Sequence, residues 1–209
     1  FLEHLKQSNY PIYNKIRRLV DLLAIFIICI VLTVLFIPVA LAITLTSKGP
    51  LFIKQKRVGQ GGIPFTLYKF RSMYALSPDG SAEVDGVQFA KKKDARITAV
   101  GKILPKTIID ELPQVLNLIK RNITLIAPRP ELPEIVEELT TRMPYYPLRH
   151  LIKPGLTGWA VLHQDYTDDL ETSLQKLQYD LYYIKNRSVL LDTAIFLKTI
   201  NIIVRAKGQ

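Results

Sequence analysis

The apolar and polar positions divide the chain into a membrane-compatible N-terminal part and a longer part with globular patterning. Residues 19–45 form an apolar run of 27 residues that contains one charged side chain, Asp21. At about 1.5 Å per residue, a helix of this length reaches about 40 Å, against about 30 Å for the hydrocarbon core of a bilayer. The run is therefore long enough to enter or to cross a membrane.

A proline and the flanking charges bear on the path of this run. Pro38 removes a backbone donor and clashes with the preceding turn, so we expect a kink or a break there. Basic residues flank the run on both sides: Lys15, Arg17 and Arg18 before it, and Lys48, Lys54, Lys56 and Arg57 after it. A spanning helix is positive mainly on its cytoplasmic side, whereas a segment that enters, bends and leaves on one face is basic at both ends. A kinked single-span helix is the alternative.

The stretch from Leu51 to Met73 has the pattern of a β-hairpin. Two strands, LFIKQKR and FTLYKFRSM, flank the turn-rich sequence VGQGGIP. In the second strand, Lys69 and Arg71 lie on one face, and this pair of cations is a candidate phosphate site. Exposed Lys and Arg also commonly solvate an edge strand, so both interpretations stay open. The polar residues 75–94 that follow predict a long loop.

Apolar residues recur with helical spacing in the second half of the chain. The stretch 108–119 predicts a helix that begins near residues 107–113 and ends near Lys120. Residues 170–184 predict an amphipathic helix that faces the core. Residues 189–204 are apolar but too short to span a bilayer, so we expect them at the membrane interface or in the core.

Composition narrows the function classes. The chain has 28 basic and 18 acidic residues, a net charge of +10, which suggests nucleic acid, a phosphorylated substrate or anionic lipid as partner. Nucleic acid is disfavoured, because the cations are not interleaved with an aromatic stacking platform. Cys29 is the single cysteine, so no intrachain disulfide can form and a cytoplasmic working face fits best. The three histidines lack metal-ligand spacing.

An adjacent carboxylate pair, Asp110 and Glu111, lies in or just before the first turn of the helix predicted near residue 107. There the positive end of the helix dipole would lower the pKa of a carboxyl group and keep it ionised. Helix capping is the simpler explanation for acidic residues at such positions. The nearby sequence Pro128, Arg129, Pro130 weighs toward function, because it is a stiff turn that presents one guanidinium.

Six motifs follow the basic, Pro38-containing apolar run in a fixed order: KQKRVGQGGIPFTLYKFRSM, DARITAVGKIL, IIDELPQVLNLIK, APRPELPE, KPGLTGWA and YDLYYIKN. In this order they closely resemble the bacterial sugar transferases, monotopic phosphoglycosyl transferases. The resemblance implies an α+β, mainly helical monotopic membrane protein with a re-entrant N-terminal helix, a small β-hairpin and amphipathic interfacial helices. Its implied divisions are a lead-in at 1–14, a re-entrant helix broken at Pro38 at 15–48, and a cytoplasmic-face catalytic domain at 49–209. Because the chain begins at Phe1 rather than Met, we expect the lead-in to be truncated.

The resemblance also implies an activity. The family moves a sugar-1-phosphate from a nucleotide diphosphate sugar, usually a UDP-sugar, to undecaprenyl phosphate through a covalent aspartyl intermediate, with Mg²⁺ (or Mn²⁺). This would be the first membrane step of exopolysaccharide, capsule or O-antigen type glycan synthesis, at the cytoplasmic face of the bacterial inner membrane. The implied partners are the nucleotide diphosphate sugar, polyprenyl phosphate and membrane lipids, without nucleic acid and with self-association left open.

Matched residue by residue, the resemblance implies that Asp110 is the nucleophile and that Glu111, with Asp110, holds the metal. The implied substrate-binding residues are Lys69, Arg71, Lys106, Pro128, Arg129, Pro130 and Asp180. Lys106 stands in for a family arginine, because Pro105 occupies that arginine's usual position. This departure motivates an alternative function, a catalytically silent membrane-anchored binding or scaffold homologue.

Overall fold

The computed structural model describes residues 11–76, 96–164 and 170–204. The described helices are α1 (Pro11–Thr46), α2 (Leu104–Thr107), α3 (Val115–Ile119), α4 (Pro133–Arg142), α5 (Leu170–Asn186) and α6 (Val189–Val204). Four strands, β1 (Phe52–Val58), β2 (Pro64–Phe70), β3 (Thr124–Ile126) and β4 (Gly155–Thr157), form two small sheets. Short 3₁₀-helices cover Gln60–Gly62, Val100–Lys102, Ile109–Gln114, Tyr146–Leu151 and Ala160–Leu162. The predicted mainly helical α+β class is confirmed; the loop predicted at 75–94 lies almost wholly outside the described residues.

Helix α1 contains the whole apolar run. It is 36 residues long and continues as a helix through Pro38, so the predicted break in the helix is wrong. A kink at Pro38 is compatible with a continuous helix. Among the described residues, it is the one helix long and apolar enough to cross a membrane. Most of its large apolar side chains are exposed, as a membrane anchor requires.

Both ends of the apolar run in α1 pack on the same globular part of the protein. Near the start of the run, the Asp21 carboxylate accepts hydrogen bonds from the Thr124 hydroxyl and the Leu125 amide, each at 2.9 Å. Near its end, Ile43 is buried in an apolar cluster with Phe70. The two ends are therefore tied to one body rather than to two.

The predicted hairpin is confirmed. Strands β1 and β2 pair antiparallel from Phe52 opposite Phe70 to Val58 opposite Pro64. The turn between them includes Gly61 and Gly62, which have φ values of 68° and 79°, a region that glycine reaches at little cost. This register directs Lys69 from β2 toward the segment that contains Asp110 and Glu111.

The single helix predicted around residues 107–120 is wrong. The chain forms α2, a left-handed residue Ile108 with φ 59°, the six-residue 3₁₀-helix Ile109–Gln114 and then α3. Pro113 explains part of this, because it lacks an amide donor and disfavours helical geometry at the residue before it. The carboxylate pair consequently lies in a 3₁₀-helix between two short α-helices.

A parallel pair, β3 and β4, lies in the core beside α6, and neither strand was predicted from sequence. β4 occupies the start of the loop motif KPGLTGWA, and glycines permit its close approach. A Cβ atom on Gly155 would lie 2.2 Å from the Ala127 nitrogen, and one on Gly158 would lie 2.3 Å from the Ala127 oxygen. This contact fixes the place where the chain leaves β3 and enters the turn at Pro128.

The apolar stripe predicted on α5 is confirmed in its second half. Leu177 and Ile184 are buried, whereas Leu170 and Leu174 at the start of the helix are exposed. The buried half of α5 also contains Asp180, so this helix delivers a charged group into the core.

Candidate active site

A compact ion cluster surrounds Glu111. The Lys69 ammonium donates to Glu111 Oε1 at 3.1 Å. Arg129 donates to Glu111 Oε2 from Nη1 at 3.2 Å and to Oε1 from Nη2. Three separate segments, β2, the 3₁₀-helix Ile109–Gln114 and the turn after β3, therefore meet at this carboxylate. The structure brings together Lys69, Glu111 and Arg129, as the sequence predicts for one site.

Asp110 lies beside this cluster, but its Oδ1 atom takes no part in the hydrogen bonds of the cluster. Its side chain is 7% exposed, and its Oδ1 atom has no hydrogen-bond partner. A buried carboxylate oxygen without a partner is costly, so such atoms commonly mark a place that a ligand or an ion fills. Glu111, by contrast, has both oxygens engaged by cations.

The two carboxyl groups have opposite pKa shifts. Burial raises the pKa of Asp110 and the neighbouring Glu111 charge adds to this, although Lys69 and Arg129 oppose it. Burial also acts to raise the pKa of Glu111, but the charges and hydrogen bonds of Arg129 and Lys69 outweigh it and hold that pKa at about 2. The expectation that a helix dipole would lower the pKa of Asp110 is therefore wrong, because burial dominates and the carboxyl lies in a short 3₁₀-helix.

The turn that presents Arg129 is held along its whole backbone. Each of the four successive carbonyl oxygens from Pro128 to Glu131 accepts a hydrogen bond. The donors are, in order, the Gly155 amide at 2.8 Å, the Arg149 guanidinium at 2.8 Å, the Arg57 guanidinium at 3.2 Å and the Val58 amide at 2.9 Å. Pro128 and Pro130 are both buried, so their place in the site is to shape this turn.

Asp180 reaches the site indirectly, through Arg149. The Asp180 Oδ2 atom accepts from Arg149 Nε at 3.0 Å and from Nη2 at 2.7 Å, and both side chains are almost fully buried. Sequence reasoning missed Arg149. Its signal was an arginine among the aromatic and apolar residues of YYPLRHLI, where a buried charge needs a partner.

Arg71 and Lys106 lie elsewhere than in the ion cluster. Arg71 is 1% exposed and donates to the carbonyl oxygens of Ser47 and Lys48 at 2.7 and 2.9 Å, where it caps the end of α1. Lys106 is exposed on α2, one turn before Asp110. Arg71 therefore makes a structural contact beside the end of α1, and its phosphate contact stays a prediction, while Lys106 is accessible to an anion.

The site offers few ligands for a metal. Within the three described ranges, no group of three or more His, Cys, Asp or Glu side chains could hold an ion. Mg²⁺, however, is commonly bound through one or two carboxylates together with substrate phosphates. The unpartnered Asp110 Oδ1 atom fits that chemistry, for an ion that arrives with a diphosphate.

Several of the proteins similar to this chain are named as undecaprenyl-phosphate sugar phosphotransferases. A UDP-N-acetylgalactosamine-undecaprenyl-phosphate N-acetylgalactosaminephosphotransferase from Aeromonas hydrophila is 41% identical over 213 residues, which cover 99% of this chain and 49% of that protein. A UDP-glucose:undecaprenyl-phosphate glucose-1-phosphate transferase from Klebsiella pneumoniae is 37% identical, over 88% of this chain and 39% of its own length. A protein of the same name from Caulobacter vibrioides is 36% identical, over 88% of this chain and 68% of its own length.

The similarity extends over α1 and the globular part alike. The chain spans half or less of the Aeromonas and Klebsiella proteins. The model of the family described as bacterial sugar transferase matches residues 12–206, which include every described residue of the ion cluster. The chain therefore belongs to the bacterial sugar transferase family.

Proposed function

We propose that this protein transfers a sugar-1-phosphate from a UDP-sugar to undecaprenyl phosphate through a covalent intermediate on Asp110. The observation that carries the proposal is the Asp110 Oδ1 atom, buried and unpartnered beside the Lys69, Glu111 and Arg129 cluster. The names of the relatives support the substrate classes. The product would enter extracellular polysaccharide synthesis, of exopolysaccharide, capsule or O-antigen type.

Cations near the reacting groups are needed, because a carboxylate and a diphosphate repel each other. Lys69 and Arg129 are positioned beside Asp110 and can stabilise the charge that develops on the phosphoryl oxygens. Asp110 Oδ1 forms a bond to the phosphorus that bears the sugar, and the bond from that phosphorus to the UMP oxygen breaks. An oxygen of undecaprenyl phosphate then attacks the same phosphorus and releases the Asp110 carboxylate.

Asp110 is a better nucleophile than Glu111 on geometric grounds. A nucleophile needs a lone pair that is free to reach phosphorus. Both Glu111 oxygens accept hydrogen bonds from guanidinium or ammonium groups, whereas Asp110 Oδ1 accepts none. Glu111 is therefore assigned to hold Lys69 and Arg129 in place.

Mg²⁺ or Mn²⁺ is the proposed cofactor, with Asp110 and Glu111 as its protein contacts. The ion would neutralise charge on the donor diphosphate. Glu111 is already engaged by two cations, so its share in holding the ion would be small in this arrangement.

The membrane part is proposed to be monotopic, with α1 entering and leaving on the cytoplasmic face of the inner membrane. The contacts of its two ends support this. Asp21 bonds to β3 and Ile43 packs against β2, so both ends of the apolar run lie on the side of the catalytic part. A helix that crossed the bilayer would separate these ends by about 30 Å of hydrocarbon. The proposed path therefore bends near Pro38, with α6 as an interfacial helix.

Release of UMP from a UDP-sugar tests the function. The detergent-solubilised protein is incubated with undecaprenyl phosphate, Mg²⁺ and either UDP-N-acetylgalactosamine or UDP-glucose, the donors named for two relatives. A donor labelled in the sugar-phosphate, supplied without acceptor, should leave label on the protein, and Asp110→Asn should lose both label and turnover. With both substrates, parallel double-reciprocal lines are expected. Intersecting lines without an adduct would contradict the covalent step, and a silent homologue would release no UMP from any donor.

A further inference from the structure

Arg149 holds the middle of the turn that presents Arg129 to the site. It is 3% exposed, and its Nη2 atom donates to the Arg129 carbonyl oxygen at 2.8 Å. The neighbouring carbonyls, those of Pro128 and Pro130, are bonded to β4 and to Arg57. Arg149 is therefore the one side chain in the described structure that bonds directly to the backbone of Arg129 while contacting neither Glu111 nor Asp110.

The orientation of Arg149 is fixed from several directions. Asp180 accepts from its Nε and Nη2 atoms, and the Tyr146 hydroxyl accepts from Nη1 at 2.8 Å. Glu131 lies 3.9 Å from Nη1. A planar guanidinium can serve all these partners at once, whereas a lysine ammonium cannot match this fork geometry.

A buried ion pair of this kind contributes little net stability, because desolvation offsets much of its attraction. Net stability alone therefore does not account for this ion pair. The hydrogen bond from Arg149 to the Arg129 carbonyl oxygen gives the pair a second role, which is to hold the turn in place. Arg129 in turn holds both oxygens of Glu111, so a shift of the turn would move a cation of the site.

We infer that Arg149, held by Asp180, is a positioning residue that fixes Arg129 for the donor diphosphate. This inference rests on the proposed function and changes the assignment of Asp180, which acts through Arg149 rather than by touching substrate. Displacement of a catalytic group by about 1 Å can cost about 10²-fold in rate, so losing this contact should be visible in kinetics.

The test uses a neutral pair, Arg149→Gln with Asp180→Asn, so that neither partner is left as a lone buried charge. We expect kcat/KM for the UDP-sugar to fall about 10²-fold and the KM for undecaprenyl phosphate to stay unchanged. Affinity for UDP alone is measured by calorimetry in parallel. Arg149→Lys, which keeps the charge opposite Asp180, should lose nearly as much activity as the neutral pair.

A matched control is the exposed pair of Arg142 and Glu138, whose side chains are 3.0 Å apart on α4. Arg142→Gln with Glu138→Gln should leave kcat/KM and UDP affinity unchanged. The thermal unfolding midpoints of both neutral pairs are compared, so that any general loss of fold is recognised.

A double-mutant cycle that combines the neutral pair with Arg129→Lys separates positioning from a general structural effect. If Arg149 acts through Arg129, the neutral pair should cost little more in UDP affinity and in kcat/KM once Arg129 is replaced. An undiminished further loss in that background would overturn the inference. Full activity of the neutral pair or of Arg149→Lys would overturn it as well.

Hydrogen exchange gives a readout that does not depend on activity. The amides of Val58 and Gly155 bond to the carbonyls of Glu131 and Pro128, so they report on the turn. The neutral pair should accelerate their exchange and the control pair should not. Unchanged exchange would contradict the positioning mechanism. If the wild-type protein instead binds no UDP and releases no UMP, the proposed function is refuted. The exchange result would then still show whether the Arg149 contact holds the turn in place.

Discussion

Asp21, the one charge in the apolar run, accepts hydrogen bonds from the hydroxyl of Thr124, which lies 103 residues later in the chain. The same carboxylate accepts the Leu125 amide at 2.9 Å. Helix α1 is thus joined to β3, and β3 leads directly into the turn that presents Arg129. A polar contact near the start of the apolar run therefore connects α1 to the segment that contributes Arg129 to the ion cluster.

Replacement of Asp21 should destabilise this junction. Asp21→Ala leaves a buried hydroxyl and a buried amide without an acceptor, at a cost of about 1–3 kcal/mol. Asp21→Asn retains one acceptor oxygen and should cost less. Thermal unfolding in detergent measures both, with Glu138→Gln on the exposed face of α4 as the control. Equal midpoints for wild type and Asp21→Ala would show that the junction does not contribute to stability.

The topology of α1 is tested by labelling from one side. Lys15 and Lys56 are exposed and flank the apolar run. In a Cys29→Ser background, cysteines at these two positions should react with a membrane-impermeant reagent from the same side of intact vesicles. Reaction from opposite sides would establish a spanning helix.

Replacement of Pro38 tests whether this proline causes the proposed bend. Proline removes one backbone hydrogen bond of α1, and alanine restores it. Pro38→Ala should therefore shift part of the population toward a spanning arrangement in the same labelling experiment. If both positions react from the same side in Pro38→Ala as well, the contacts at Asp21 and Ile43 rather than the proline hold the proposed bend.

Local patterns in the sequence predicted much of this fold, and tertiary contacts explain the failures. The hairpin followed from alternation around a glycine-rich turn, which is a local signal. The three-residue strand β4 has no such signal, because it exists only where Gly155 can approach Ala127. The contacts of Arg71 could not be predicted from the sequence, because its carbonyl partners at Ser47 and Lys48 come close to it only when the end of α1 packs against β2.

The candidate site also contains residues that local motifs predict and residues that only the folded structure brings together. Asp110, Glu111, Lys69 and Arg129 could be named from their motifs, and the structure brings the last three into direct contact. Arg149 could not, because its partners Arg129 and Asp180 lie 20 and 31 residues away, and its burial is a property of the whole core. The pKa of Asp110 was misjudged for a related reason, since burial could not be seen in the sequence.

His150 should make stability depend on pH. Burial, together with the Arg149 charge and against the opposing Glu131 charge, lowers the pKa of His150 from 6.5 to about 4. Between these values the unfolded chain binds a proton that the folded protein excludes, so stability falls as pH falls from about 6.5 toward 4. From pH 7 to pH 5 the unfolding midpoint should drop by about 4–8 °C more in wild type than in His150→Phe, which keeps an aromatic ring beside Tyr146. Parallel pH profiles for the two proteins would exclude His150 as the source.

Glu111→Gln separates two roles of this carboxylate. The amide keeps the shape of the side chain but removes the anion that holds Lys69 and Arg129, so turnover should fall by about 10²-fold or more. Activity of the wild type should disappear with EDTA and return with Mg²⁺.

The dependence of the residual activity on Mg²⁺ then assigns the role of Glu111. If Glu111 contacts the ion, the Mg²⁺ concentration for half-maximal activity should rise in the variant. If Glu111 serves chiefly to hold Arg129, as its contacts in the structure indicate, the KM for the UDP-sugar should rise while the Mg²⁺ dependence stays close to that of wild type. We expect the second pattern, because both oxygens of Glu111 already accept hydrogen bonds from cations, whereas Asp110 has an oxygen free for a ligand. Wild-type turnover that survives EDTA would remove the metal from the proposed mechanism and leave Lys69 and Arg129 to neutralise the diphosphate by themselves.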